Sequence, residues 1–199
     1  MKAGFRLAMV WVWAVSGAWA QIPAPAPAPA PENLTRNPGF EDRQAGAIHL
    51  PAQWDVFSFS EKVMVSLSDA TKRSGARALR IGASGLKGAH AGVVQVREVD
   101  RKARYVFRAH ALDDALAGLG GGAEFLLCIE WLDADGTEVD RSESRALAGA
   151  LSRTNWKELE VMAHPPPKAA RGKFVLLLRE PKQPGRGGVL VDDVEIHER

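Results

Sequence analysis

Between Leu34 and Ile196, apolar residues recur at every second position rather than at the 3.6-residue spacing of a helix. Tyr105, Phe107, Ala109 and Ala111 alternate with Val106, Arg108, His110 and Leu112, and Phe125, Leu127, Ile129 and Trp131 alternate with Leu126, Cys128, Glu130 and Leu132. Successive side chains of a strand point to opposite faces, so this period predicts strands. The same pattern predicts strands over 54–58, 63–68, 78–82, 92–97, 156–163, 173–179 and 189–196. Between them lie turn signals: Ser74-Gly75, Gly120-Gly121-Gly122, Asp135-Gly136, Pro165-Pro166-Pro167 and Gly187-Gly188. Only 113–119 invites a short helical reading, and glycines end it. Asp133-Ala134-Asp135-Gly136 opens like an EF-hand loop but lacks the later acidic positions and the flanking helices, so a hairpin turn is the better account. Many short strands with regular turns and no long helix predict an all-β, antiparallel sandwich.

The first residues are not read as fold. Residues 1–20 carry Lys2 and Arg6, then an apolar run from Leu7 to Val15, and end Ala18-Trp19-Ala20. This is the layout of a cleaved signal peptide, and the run is short for a membrane span. An extracytoplasmic location, periplasmic or secreted, is therefore expected, with no membrane attachment after cleavage. Residues 21–32 (QIPAPAPAPAPE) alternate Pro and Ala, which predicts an extended polyproline II spacer ahead of a domain over 33–199. Asn33-Leu34-Thr35 fits a glycosylation sequon.

Removing the leader changes the charge balance. It takes two of the 26 basic residues and none of the 24 acidic ones, leaving 24 of each. A balanced chain offers no clustered positive charge for nucleic acid or an anionic membrane. Cys128, the one cysteine, has no partner for an intramolecular disulfide, and its apolar neighbours suggest a strand residue rather than a reactive thiol.

An ordered set of segments carries a family resemblance. LTRNPGFE (34–41) is followed by a Pro-x-x-Trp step at 51–54, SGARALRI (74–81), Gln95 in a following strand and ARYVFRAHA (103–111). Then come IEWLDADGTEV (129–139), a Trp-led strand at Trp156 and VLVDDVEI (189–196). This order resembles the CenC-type carbohydrate-binding modules of the galactose-binding-like superfamily. The resemblance implies a jelly-roll β-sandwich and a non-catalytic module that binds a poly- or oligosaccharide. It also implies a structural Ca²⁺ near the first and last strands, with Glu41 and Asp192 or Asp193 as carboxylates and carbonyls around Lys72 and Ser74 completing the shell. Ca²⁺ takes oxygen ligands of these kinds.

Strand phase suggests where a ligand would sit. Arg108 and His110 lie opposite the aromatic phase of their strand, Glu130 opposite Phe125 and Trp131, and Arg179 opposite Phe174, Leu176 and Leu178. Gln95 lies opposite Val94 and Val96. If these strands share a sheet, Gln95, Arg108, His110, Glu130 and Arg179 form one polar patch suited to sugar hydroxyls. Sugar rings also pack on aromatic platforms; Trp54, Trp131 and Trp156 occupy core-like positions, which leaves Phe57 and Phe59 as candidates. A salt-bridged, solvated face is the alternative for the patch. An envelope protein–protein adaptor is the alternative function. A polysaccharide lyase would cast His110, Arg108 and Gln95 as base and charge neutralisers. Glycosidase chemistry is disfavoured because Glu130 has no evident partner carboxylate. His49, His90, His164 and His197 are scattered without metal-ligand spacing.

Overall fold

A computed structural model describes residues 31–59, 64–149 and 151–199. The expected signal peptide, most of the Pro-Ala spacer and the start of the predicted 63–68 strand lie outside the described residues. The alternating segments form strands β1 (Arg43–Gln44), β2 (Ala47–Pro51), β3 (Asp55–Ser58), β4 (Val65–Ser68), β5 (Ala78–Gly82), β6 (His90–Glu98) and β7 (Tyr105–Asp113). They continue as β8 (Gly120–Gly121), β9 (Glu124–Leu132), β10 (Glu138–Glu143), β11 (Lys157–Ala163), β12 (Arg171–Arg179), β13 (Gly185–Arg186) and β14 (Gly188–Glu198). Two five-stranded sheets result, ordered β10-β9-β12-β6-β3 and β11-β7-β14-β5-β4, with the ribbons β1-β2 and β13-β8 beside them. Strand pairing within both large sheets is antiparallel. The described residues are all-β, and the two sheets make an antiparallel jelly-roll sandwich.

One phase of each long strand fills the space between the sheets. Phe125, Leu127, Ile129 and Trp131 of β9 and Phe174, Leu176 and Leu178 of β12 meet Tyr105, Phe107, Ala109 and Ala111 of β7. Phe107 and Phe174 pack edge-on at 5.5 Å, and Tyr105 meets Trp131 edge-on at 6.1 Å. Such geometries suit the ring quadrupoles. The Tyr105 hydroxyl keeps polar partners at the end of the core, accepting from Asp100 N (2.9 Å) and donating to Glu198 (3.0 Å).

The last strand changes phase midway. Val189 and Val191 face the core, and so do Val194 and Ile196, because β14 slips by one residue against β7 between Asp192 and Glu195. Asp193 is the extra residue, at φ 47°, a left-handed conformation that Asp tolerates better than most side chains. The bulge explains why two consecutive aspartates fit inside an otherwise alternating strand.

The structure departs from the sequence reading in several places. No helix forms at 113–119; instead Asp113 accepts from Leu119 N and Asp114 from Leu116 N, turns that compete with helical hydrogen bonding. Asn33 of the sequon is engaged by the fold: its amide donates to Val194 O and its oxygen accepts from Ile196 N. Trp156 is half-buried and precedes β11, whereas Trp54 and Trp131 are buried as expected. Strand β10 follows the Asp133–Gly136 turn and was missing from the predicted strands. The turn itself is a hairpin as expected, with Asp133 accepting from Asp135 N and Thr137 N and Gly136 at φ 89°.

Glu180, just past β12, fixes two loops at once. Its buried carboxylate accepts from Ser84 N and Oγ, Gly85 N and Gly185 N. Removing it strands several donors in the interior, so Glu180→Ala should cost roughly 3 kcal/mol. Urea unfolding measures this; a loss below about 0.5 kcal/mol, the range of ordinary surface substitutions, would refute the clip.

Candidate functional site

The outer face of the β10-β9-β12-β6-β3 sheet carries a second apolar cluster. Val94, Leu126, Cys128, Val175 and Leu177 are buried there, with Phe57 and Ala146 packed against them. Around this floor runs a chain of ion pairs. Glu130 accepts from Arg141 at 3.1 Å and Lys173 at 2.7 Å, and Arg141 also pairs with Glu138 at 2.9 Å. Arg179 bridges Glu124 at 3.2 Å and Glu143 at 3.1 Å. The stems of these long side chains cover the apolar floor while their charged ends reach solvent. The hydrogen bond from Arg141 holds the Glu138 carboxyl below its usual range.

Beside the ion pairs the face opens into a groove of about 440 Å³, lined by Phe57, His90, Glu130, Arg141, Lys173 and Leu177 among others. Phe57 lies over Gly92, where a Cβ would come 3.0 Å from the ring and 2.0 Å from Leu176 O. His90 sits between Phe57 (6.2 Å) and Phe59 (5.6 Å), and Phe59 is 61% exposed. The face thus combines an apolar floor, rings at one rim and fixed hydrogen-bonding groups at the others, the usual make-up of a small-molecule or cofactor site.

The five residues expected in one patch are divided among three places. Glu130 and Arg179 lie on this face. Arg108 and His110 lie on β7 in the opposite sheet, where Arg108 pairs with Glu160 and His110 stands 3.6 Å from Glu158. Strand phase gives the face of a sheet but not which sheet, hence the error. Gln95 is on the inner phase of β6: its amide donates to Arg36 O and its oxygen accepts from Arg36 N, clamping the first segment. Valines at 93, 94 and 96 make the phase of β6 ambiguous, and the structure puts Val94 and Val96 outward. The same division separates Gln95 from the His110 and Arg108 of the lyase alternative. Of the groove residues, Arg141, Lys173 and His90 were not singled out. The Asp135-Gly136 turn implied a returning strand, which is where Arg141 stands.

Around the bulge of β14, Glu41, Ser74, Asp192 and Asp193 come together. Asp192 is fully buried and accepts from Arg73 N, Ser74 N and Asp193 N; burial raises its carboxyl and these amides oppose the shift. Glu41 accepts from Ala76 N and Arg77 N. Asp193 instead pairs with Arg73 and Ser74 Oγ, and the Lys72 amine donates to Asp69 O. Asp192 Oδ1 and Glu41 Oε1 would lie 3.7 and 3.8 Å from a Cβ on Gly39, so two carboxylates converge over a residue without a side chain. That cradle offers hard oxygens of the kind Ca²⁺ takes. Among the described residues no three His, Cys, Asp or Glu side chains cluster as a metal site, so backbone carbonyls would have to supply the other ligands.

No protein-family model matches the chain, and no curated protein matches it. Solved structures do. The CBM22-1 xylan-binding domain of Paenibacillus barcinonensis Xyn10C superposes with a TM-score of 0.59 at 14% identity, over 86% of this chain and 97% of that one. TmCBM61, solved with β-1,4-galactotriose, gives a TM-score of 0.52 at 19% identity, over 84% and 99%. The enzymatically active domain of Bacteriophage CBA120 tailspike protein 4 gives 0.59 at 15% identity; the match covers 84% of this chain and 21% of that one. The fold is that of the β-sandwich carbohydrate-binding modules.

Cys128 lies within the groove floor and is fully buried, and desolvation pushes its thiol from 9.0 up to about 12. The folded state therefore holds this proton more tightly than the unfolded state. Its contribution to stability is present below pH 9 and is lost as pH rises toward 12. Urea midpoints between pH 8 and pH 11 should fall less steeply for Cys128→Ala than for the wild type. Parallel slopes would refute the assignment.

Proposed function

We propose that the protein is an extracytoplasmic, non-catalytic carbohydrate-binding module of the CenC type, which binds a poly- or oligosaccharide on the outer face of the β10-β9-β12-β6-β3 sheet. One observation carries this reading: the groove over Leu177, with Phe57 at one rim and ion-paired Glu130, Arg141 and Lys173 at another. Sugars present apolar ring faces and hydroxyl edges together, and this groove offers a ring for the first and pre-positioned donors and acceptors for the second. The shared fold with xylan- and galactotriose-binding domains supports the same reading. The open groove favours a glycan over the envelope adaptor, which would use a flat apolar surface. Export rests on the leader-like residues 1–20.

Titration calorimetry against a panel of neutral β-linked oligosaccharides tests the proposal. At least one should bind, and Phe57→Ala should weaken it about tenfold, the size of one stacking contact. Failure of every glycan, or indifference to Phe57→Ala, would refute it.

The cradle formed by Glu41, Asp192 and the Arg73–Gly75 loop is the proposed seat of a structural Ca²⁺. Its carboxylates and hard-oxygen chemistry support this. Bound metal stabilises the folded state by mass action, so Ca²⁺ should raise the melting temperature relative to EDTA in the wild type and not in Glu41→Gln. Equal melting temperatures with Ca²⁺ and EDTA would remove the metal from the account.

A further inference from the structure

A second cavity, also about 440 Å³, lies further along β6 than the groove. It exists because β3 begins at Asp55, opposite Val94, while β6 runs on to Glu98. Beyond Asp55 the chain does not pair with β6. Pro51 ends β2, Gln53 takes a left-handed φ of 67°, and Trp54 turns inward to donate to Asn37 O. The gap left beside β6 is lined by Arg36, Arg97, Gln44, Gln53, Asp55 and Val96, among others.

The charges here differ in kind from those of the groove. In the groove, Arg141, Lys173 and Arg179 are each paired with glutamates. In the second cavity neither Arg36 nor Arg97 has a carboxylate partner among the described residues. Arg97 donates to Leu34 O, and its guanidinium is lowered first by burial and then by the charge of Arg36. Tyr105 and then Glu32 oppose that effect, and Asp55 lines the cavity without an ion pair among the described residues. The side chains of Gln44 and Gln53 likewise hydrogen-bond to none of the described residues. Among the side chains that line the cavity, two guanidiniums face one carboxylate, so the lining itself carries more positive than negative charge, together with free amides and one free acceptor. Guanidinium groups grip planar carboxylates through paired N–H donors.

The two cavities border one apolar cluster. Val94 lines the second cavity and packs in the same apolar cluster as Leu177 and Phe57, which line the groove. A chain-like ligand lying along β6 passes from one to the other. We infer that the second cavity is a subsite for a carboxylate-bearing sugar unit, held by Arg36 and Arg97, with Gln44, Gln53 and Asp55 reaching its hydroxyls. The bound glycan is then a uronate-containing polysaccharide. This inference rests on the glycan reading of the groove.

The test titrates the full chain with oligogalacturonates and oligoglucuronates and with their carboxyl-reduced counterparts. In about 20 mM salt, where exposed charges are weakly screened, at least one acidic ligand should bind about tenfold more tightly than its reduced counterpart. Arg36→Gln should shrink that advantage to less than about threefold, and added salt should shrink it too. Arg36 donates only through its backbone, so this variant should keep the wild-type melting temperature. The subsite is overturned if no acidic ligand gains over its reduced counterpart, or if the gain survives Arg36→Gln and Arg97→Lys together. A sulfated glycan that binds with the same Arg36 dependence while uronates do not would also overturn it. Neutral binding that depends on Phe57 without any acidic advantage leaves the groove standing and removes only this subsite. An acidic advantage indifferent to Phe57→Ala does the reverse.

Discussion

The sheet that carries the groove is apolar on both faces, and much of the molecule is arranged around that constraint. Phe174, Leu176 and Leu178 turn to the core while Val175 and Leu177, one residue out of phase, turn outward beside Leu126 and Cys128. An outward apolar face would ordinarily be covered by a helix or a second sheet. Here no such layer is present among the described residues. The cover is made of side chains: the stems of Arg141, Lys173 and Arg179, held flat by glutamates on neighbouring strands, and the ring of Phe57. Each ion pair is half-exposed and of small worth as a pair. Their collective effect is to lay aliphatic carbon over the floor and leave one opening of defined shape.

That arrangement explains which parts of the site could be read from the chain. Where one phase of a strand is clearly larger and more apolar, as in β7, β9 and the Phe174 to Leu178 stretch of β12, alternation assigned the faces correctly and Glu130 and Arg179 were found. Where both phases are apolar, as in the Val93-Val94-Gln95-Val96 run, alternation carries no sign, and Gln95 went to the wrong face. Arg108 and His110 show a different limit. Their phase was right, but membership of a sheet depends on strand order, which no local pattern encodes. Strand β10 was missed because an edge strand facing water on much of its surface has little apolar periodicity; only Val139 interrupts its polar residues.

The two ends of the fold meet through backbone-directed side chains rather than through apolar packing alone. Gln95 substitutes for a missing strand by offering Arg36 a donor and an acceptor, and Asn33 does the same for Val194 and Ile196. Asp192 gathers three amides at the bulge of β14. These polar clamps were visible as residues but not as clamps, because each makes at least one bond across 59 or more positions and depends on which strands become neighbours.

The Asn33 clamp bears on how such a chain can be made. Glycosylation at a sequon attaches sugar to the side-chain nitrogen while the chain is still emerging, long before β14 exists. The modified nitrogen would keep a single hydrogen to offer the Val194 carbonyl, 3.0 Å away. A host that modifies Asn33 would therefore leave this clamp one hydrogen at Val194, while the Asn33 oxygen still accepts from Ile196 N. A host without that machinery leaves both hydrogens of the amide in place as the last strand closes on the first segment.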